Sequence, residues 1–105
     1  MENEIKQTEL WLKSIYNINR EIDFERECLN VSIKRIEHLE EEKEKLTSVI
    51  MQITNPVFKQ ILHKRYLQGK KWEEIESELN YAAQHIHRLH QKAIVEVHKV
   101  RNEQR

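Results

Sequence analysis

Glycine, proline and cysteine occur only once each among the 105 residues of the chain. One Gly and one Pro leave too few turn-forming residues for a β-sheet protein, so we expect an almost entirely helical chain. A single Cys28 can form neither an intramolecular disulfide nor a Cys-based zinc cluster, which is typical of a reducing compartment. No apolar run approaches the ~18 residues of a membrane span, and the first residues, MENE, lack the features of a signal peptide. The sequence therefore predicts a soluble, cytoplasmic protein.

The formal net charge is zero, but the charges are distributed unevenly along the chain. Residues 1–55 hold eight Lys or Arg against twelve Asp or Glu, a net charge of −4, whereas residues 56–105 hold ten against six, a net charge of +4. Five of the six histidines also lie in the basic half. A polyanion is therefore the natural ligand of residues 56–105, and the two ranges are expected to face different partners.

Apolar residues recur at three- and four-residue spacing through the acidic half, with a phase slip between residues 33 and 39. They are Ile5, Leu12, Ile15, Ile22, Leu29, Ile33, Ile36, Leu39, Leu46, Ile50 and Ile53. This coiled-coil-like stripe predicts one of two arrangements. The first is a long helix of roughly 73 Å that pairs with a partner. The partner expected first is a second copy of the chain, giving a homo-oligomer such as a dimer through residues 5–53. The second is a helical hairpin with a break near residues 17–19 or 28–32.

The basic half begins at a strong helix-start signal, with Asn55 as N-cap and Pro56 at the first helical position. We expect a helix from Pro56 to about residue 67 that Gly69 terminates in a left-handed conformation. A second helix is expected over residues 72–79, and a third from about residue 82 towards residue 100, with Asn80 taking a positive φ between them. The sequence thus predicts an all-α protein in which residues 1–55 form a dimerisation or partner arm and residues 56–105 form a three-helix helix-turn-helix module.

The third helix separates its residues by face. Ile86, Leu89, Ala93, Val97 and Val100 form the expected buried stripe, and His90 lies at its edge. The opposite sector is polar and free of acid, and holds Gln84, Arg88 and Gln91, flanked by His85, His87 and Lys92. In a major groove Gln can bond adenine and Arg can bond guanine in bidentate fashion, whereas Lys70, Lys71, Lys92 and Lys99 suit phosphates.

The segments RYLQGKKWEEI (residues 65–75), LNY (79–81) and IHRLHQKAI (86–94) resemble the sigma-70 region-4-like helix-turn-helix of the RinA/ArpU-like late transcription activators of Gram-positive bacteriophages. The resemblance covers about residues 56–97. It implies a recognition helix that starts at Ala82, with Ala83, Gln84, His87 and Arg88 facing the bases, and an acidic helical segment in front of the DNA-binding module. The family usually has Ser where this chain has Ala82, so a helix cap worth about 1 kcal/mol is missing.

Residues suited to catalysis or metal binding are scarce. His63, His87 and His90 lack a Cys pair or carboxylates to complete a zinc site, and one Gly cannot build a phosphate-cradling loop. Tyr66 and Trp72 share helical spacing with Ile61 and Ile75, which favours core packing over stacking on bases. We expect no enzymatic activity, no cofactor and no metal.

Three functions are compatible with these patterns. The first is a sequence-specific, nucleoid-associated regulator of transcription, phage- or prophage-encoded, that reads double-stranded DNA and contacts a partner such as RNA polymerase. The second is a sigma-like adaptor that binds RNA polymerase or another protein, which the zero net charge and Ala82 favour. The third is a small-terminase-like DNA-packaging component, which would form a ring.

Overall fold

The computed structural model describes residues 2–27 and 33–103, and every secondary-structure element within these ranges is helical. The five α-helices are α1 (Glu2–Glu27), α2 (Ile33–Gln52), α3 (Pro56–Leu62), α4 (Trp72–Leu79) and α5 (Ala83–Glu103), and a π-helical segment (His63–Leu67) continues α3. The all-α prediction is confirmed. None of these helices combines the length and the apolarity that crossing a membrane requires.

α1 and α2 pack against each other in antiparallel order. Trp11 Nε1 donates a 2.6 Å hydrogen bond to Glu42 Oε2, and nearer the α1–α2 connection Arg35 pairs with Glu21. One continuous rod over residues 5–53, the first arrangement considered, is therefore wrong, because the chain reverses direction between α1 and α2. A break at residues 17–19 is also wrong, since α1 continues through them, and the alternative break at residues 28–32 lies outside the described residues.

Most of the described part of the apolar stripe in the acidic half is buried within the same chain, whereas the Ile33 side chain is 72% exposed. Its buried members, which include Leu12, Ile15, Leu46 and Ile50, join one cluster with the second half of α5. α1 and α5 also make polar contacts, since Thr8 Oγ1 on α1 lies 3.4 Å from His98 Nδ1 on α5. The packing crosses the boundary expected at residue 56 and removes the physical reason for requiring a second chain along this stripe.

The start of α3 follows the sequence prediction. Asn55 caps the helix through its side-chain oxygen, which accepts from the amides of Val57 and Phe58, and Pro56 is the first helical residue. The α-helix expected to reach residue 67 instead ends at Leu62, and the next five residues form the π-helical segment. The amide of Gln68, which follows that segment, donates to the carbonyl of His63 at 3.0 Å, the five-residue spacing of a π-helix.

Gly69 ends this segment in the expected left-handed conformation, with φ of 68°. A Cβ atom at this position would lie 3.0 Å from the side-chain nitrogen of Asn19 on α1. Both the backbone angle and the close approach of α1 therefore favour glycine here.

A second, smaller apolar cluster lies beneath α4 and the first half of α5. Ile61, Ile75 and Ile86 are fully buried at its centre, and Trp72 and Leu79 pack around them. This cluster fixes α4 and the start of α5 relative to α3, and it supports the exposed side of the first half of α5.

Candidate nucleic-acid interface

The turn between α4 and α5 determines how the start of α5 is presented. Asn80 adopts the left-handed conformation with φ of 60°, as expected, and its amide and that of Tyr81 both donate to the carbonyl of Glu76. α5 begins one residue later than predicted, with the amide of Ile86 donating to the carbonyl of Ala82 at 3.0 Å. Ala82 thus occupies the N-cap position, and its methyl side chain offers no hydrogen-bond acceptor to the first turn.

The first half of α5 carries the polar side chains identified from the sequence, and all of them are exposed. We call this surface the polar face of α5, and it comprises Ala83, Gln84, His87, Arg88, Gln91 and Lys92. Within the described part of the chain neither Arg88 nor Lys92 forms an ion pair, so both cations are open to a ligand. The face offers amide, imidazole, guanidinium and ammonium donors with no carboxylate among them.

The two lysines expected to bind phosphate in front of α4 have different surroundings. Lys71 is exposed at the residue before α4. Lys70 Nζ instead contacts both carboxylate oxygens of Glu78, at 2.6 and 2.7 Å, and Lys64 Nζ lies 3.1 Å from the same carboxylate. The hydrogen bond from Lys70, followed by that from Lys64, holds the pKa of Glu78 below its ordinary value of 4.5. Lys70 is therefore engaged in an ion pair that it shares with Lys64, which the sequence pattern did not indicate.

A stack of aromatic and cationic groups holds the polar face against the rest of the molecule. The Arg65 guanidinium carbon lies 3.7 Å from the centre of the Tyr16 ring on α1 and 4.3 Å from that of Trp72 on α4. Trp72 in turn makes edge contacts with His87 and His90, at centroid distances of 5.4 and 4.6 Å. Arg65 thus ties α1, the π-helical segment and α4 together, a role no local sequence signal revealed because Tyr16 is 49 residues away.

His90 is buried beneath the polar face, at the edge of the apolar stripe, as the sequence predicts. Its Nε2 lies 2.5 Å from the Tyr66 hydroxyl. Burial lowers the pKa of His90 from 6.5 to about 4, so the imidazole is neutral near pH 7. Tyr66 is also buried, and burial raises its pKa above the ordinary value. Tyr66 is therefore a core residue, as the sequence predicts.

A cavity of about 200 Å³ opens between α1, the π-helical segment and α5, next to the polar face. Glu9, Lys13 and Tyr16 of α1 line one side, and His87 and Gln91 of α5 line the other. Among the described residues no group of three His, Cys, Asp or Glu side chains is arranged to hold a metal ion. Comparisons with protein-family models, curated proteins and solved structures found no match to this chain.

Proposed function

We propose that the protein is a sequence-specific DNA-binding regulator of transcription that inserts the first half of α5 into the major groove. The observation that carries this proposal is the polar face of α5, where six exposed positions include no acidic side chain. A major groove admits an α-helix, and its base edges present the acceptors that such donors recognise.

Gln84, Arg88 and Gln91 are the side chains suited to reading bases. Glutamine bonds adenine N6 and N7, and arginine bonds guanine O6 and N7, each good bidentate pair discriminating by about 1–3 kcal/mol. The left-handed turn at Asn80 supports this role, because α4 and α5 are joined tightly and the small apolar cluster fixes their orientation.

Lys71 and Lys92 are the cations suited to phosphates, since both are exposed and neither forms an ion pair within the described residues. Lys70 would first have to leave Glu78, so we assign it a smaller share of the binding free energy. Phosphate contacts fix the register of α5 on the duplex without selecting sequence.

The resemblance to RinA/ArpU-like activators supports a phage or prophage regulator that contacts RNA polymerase. A symmetric dimer would read two half-sites about 34 Å apart. Such a dimer would need a surface other than the stripe of residues 5–53, whose buried members pack within one chain.

The direct test is selection of bound sequences from a randomised duplex library, followed by fluorescence anisotropy on the selected duplex. Arg88→Ala should weaken that complex by at least about 1 kcal/mol, roughly 5-fold, and relax the preference at one base pair. Arg88→Lys is the matched control, because it keeps the charge and should retain affinity for unselected DNA while losing discrimination. Lys71→Ala should weaken binding to every duplex equally and lower the salt slope by about 0.9.

Two outcomes would overturn the proposal. One is a selection that returns no preferred sequence. The other is an Arg88→Ala variant that loses the same affinity for the selected duplex and for unrelated duplexes, because direct readout requires a sequence-dependent loss.

A second candidate, an adaptor that binds RNA polymerase or another protein, is favoured by the acidic surface of α4. Glu73 and Glu74 are exposed in its first turn, and Glu78 forms ion pairs with Lys64 and Lys70. In a helix-turn-helix the corresponding helix crosses the phosphate backbone, where carboxylates are unfavourable. Binding to purified bacterial RNA polymerase that Glu73→Lys/Glu74→Lys weakens, with no binding to any duplex, would establish this function instead.

A further inference from the structure

A row of cations lies on α1, in the half of the chain that carries net negative charge. Lys6, Lys13 and Arg20 recur every seven residues and are all exposed. Seven residues of α-helix leave a drift of only about 20°, so the three side chains share one side of α1 at intervals of about 10.5 Å. Leu10 and Asn17, which lie between them, are exposed and uncharged. We call Lys6, Lys13 and Arg20 the α1 cation row.

The middle residue of the α1 cation row, Lys13, lies beside the polar face of α5. Lys13 lines the same cavity as His87 and Gln91. Two helical turns after Lys13, Arg20 Nη1 donates to the carbonyl of Gly69 at 3.2 Å. Gly69 directly precedes Lys70 and Lys71 in the chain. A ligand that covers the polar face would therefore also meet the side of α1.

We infer that the α1 cation row binds backbone phosphates of the same duplex whose bases α5 reads. This inference rests on the proposed function, and it makes α1 part of the DNA interface. Duplex DNA carries about one phosphate charge per 1.7 Å of its axis when both strands are counted, so a row of cations about 21 Å long lies beside several phosphates wherever this side of α1 approaches the duplex.

The contacts already made by Lys13 and Arg20 do not prevent this role. Lys13 Nζ lies 3.4 Å from Glu9, and 61% of the Lys13 side chain is exposed. An exposed pair of this kind, four residues apart on a helix, contributes only a few tenths of a kcal/mol, so exchanging it for a phosphate costs little. Arg20 uses one N–H for Gly69, and a guanidinium has about five in all.

The test compares two double variants with the same change in net charge. Lys6→Gln/Lys13→Gln removes two cations of the row. Lys34→Gln/Lys45→Gln is the control on α2, a helix that contributes no residue to the cavity, and it also breaks one exposed ion pair, between Lys45 and Glu42 at 3.2 Å. Arg20 is left in place because it also positions the Gly69 loop.

The measurement is the dissociation constant for the selected duplex and for a scrambled duplex as salt is raised from about 50 to about 200 mM. Lys6→Gln/Lys13→Gln should lower the magnitude of the salt slope by about 1.8, and weaken both duplexes to the same extent, roughly 10-fold or more at about 0.1 M salt. The ratio between the two duplexes should not change. Equal thermal midpoints for the two double variants would verify that both are folded alike.

The outcomes separate this inference from the proposed function. If the wild type binds no duplex, both are overturned. If the wild type binds selectively but Lys6→Gln/Lys13→Gln keeps the wild-type slope, the cation row does not contact DNA while the proposed function stands. If the α2 control changes the slope as much, the effect is one of net charge and the assignment to the row is overturned.

Discussion

The two halves of α5 differ in what covers them. In residues 83–92 only Ile86 and His90 are buried, and the rest present mostly polar side chains to solvent. In residues 93–103 the buried apolar side chains join the cluster formed with α1 and α2; they are Ala93, Ile94, Val97 and Val100. The second half of this unbroken helix is packed against the protein core, whereas the first half is exposed. Stability and ligand binding should therefore respond to different substitutions along α5.

The largest expected effect is on the free energy of unfolding, which should separate the two halves of α5. Ile94→Ala should lower the free energy of unfolding by about 2–5 kcal/mol, because Ile94 is fully buried where α5 meets α1 and α2. Gln91→Ala, one turn earlier and exposed, should change it by no more than about 0.5 kcal/mol. Urea denaturation followed by circular dichroism measures both.

The loss of DNA affinity should follow the reverse order for these two variants when the affinity is expressed per folded molecule. Gln91→Ala should weaken the complex with the selected duplex, whereas the folded fraction of Ile94→Ala should bind as the wild type does. If Gln91→Ala proved as destabilising as Ile94→Ala, the first half of α5 would be a structural element and the contrast would disappear.

The next effect concerns His90, which lies where the two halves meet. The unfolded His pKa is about 6.5 and burial lowers the folded value to about 4, so between these values the unfolded chain binds a proton that the folded chain does not. Stability should therefore be complete above about pH 6.5 and fall as the pH decreases towards about 4, by roughly 3 kcal/mol in total. Unfolding free energies measured across this range test the expectation.

The control for that experiment is His90→Gln, which keeps a polar side chain near the Tyr66 hydroxyl but does not titrate. Its unfolding free energy should decline less than that of the wild type between about pH 6.5 and about pH 4. Identical pH profiles for the two proteins would mean that His90 is not protected from protonation by the fold.

The smallest expected effect concerns the N-cap of α5, at its exposed end. Ala82→Ser should raise the free energy of unfolding by about 1 kcal/mol, because a serine hydroxyl at the N-cap can accept from the first-turn amides of α5. Ala83→Ser is the matched control one residue later, inside the helix, and should give no such gain. The two variants are compared by denaturant midpoint, and equal midpoints would show that Ala82 is not the cap residue.

The sequence was sufficient wherever a local rule determined the backbone. Asn55 and Pro56 start α3, and Gly69 and Asn80 adopt the left-handed conformation, as their residue types predict. The exposure of the polar face of α5 was also predictable, because helical periodicity separates it from the apolar stripe. Each of these features depends on neighbours within a few positions in the chain.

The features that the sequence did not reveal depend on contacts between distant segments. An apolar stripe has the same pattern whether it packs on a second chain or on α5, so the antiparallel α1–α2 packing could not be chosen over a rod. Ile94 and His98 are buried because α1 and α2 cover a second side of α5. Lys70 meets Glu78 only after the turn at Gly69 has brought the two together.

The absence of glycine and proline within α5 has a mechanical consequence. A helix of 21 residues, about 31 Å long, resists bending when nothing interrupts its backbone hydrogen bonds. If the first half of α5 binds a duplex, a second protein that contacts α2 therefore takes a fixed angular position around that duplex. Inserting about five base pairs between the two recognition sequences would move that protein to the other side of the duplex.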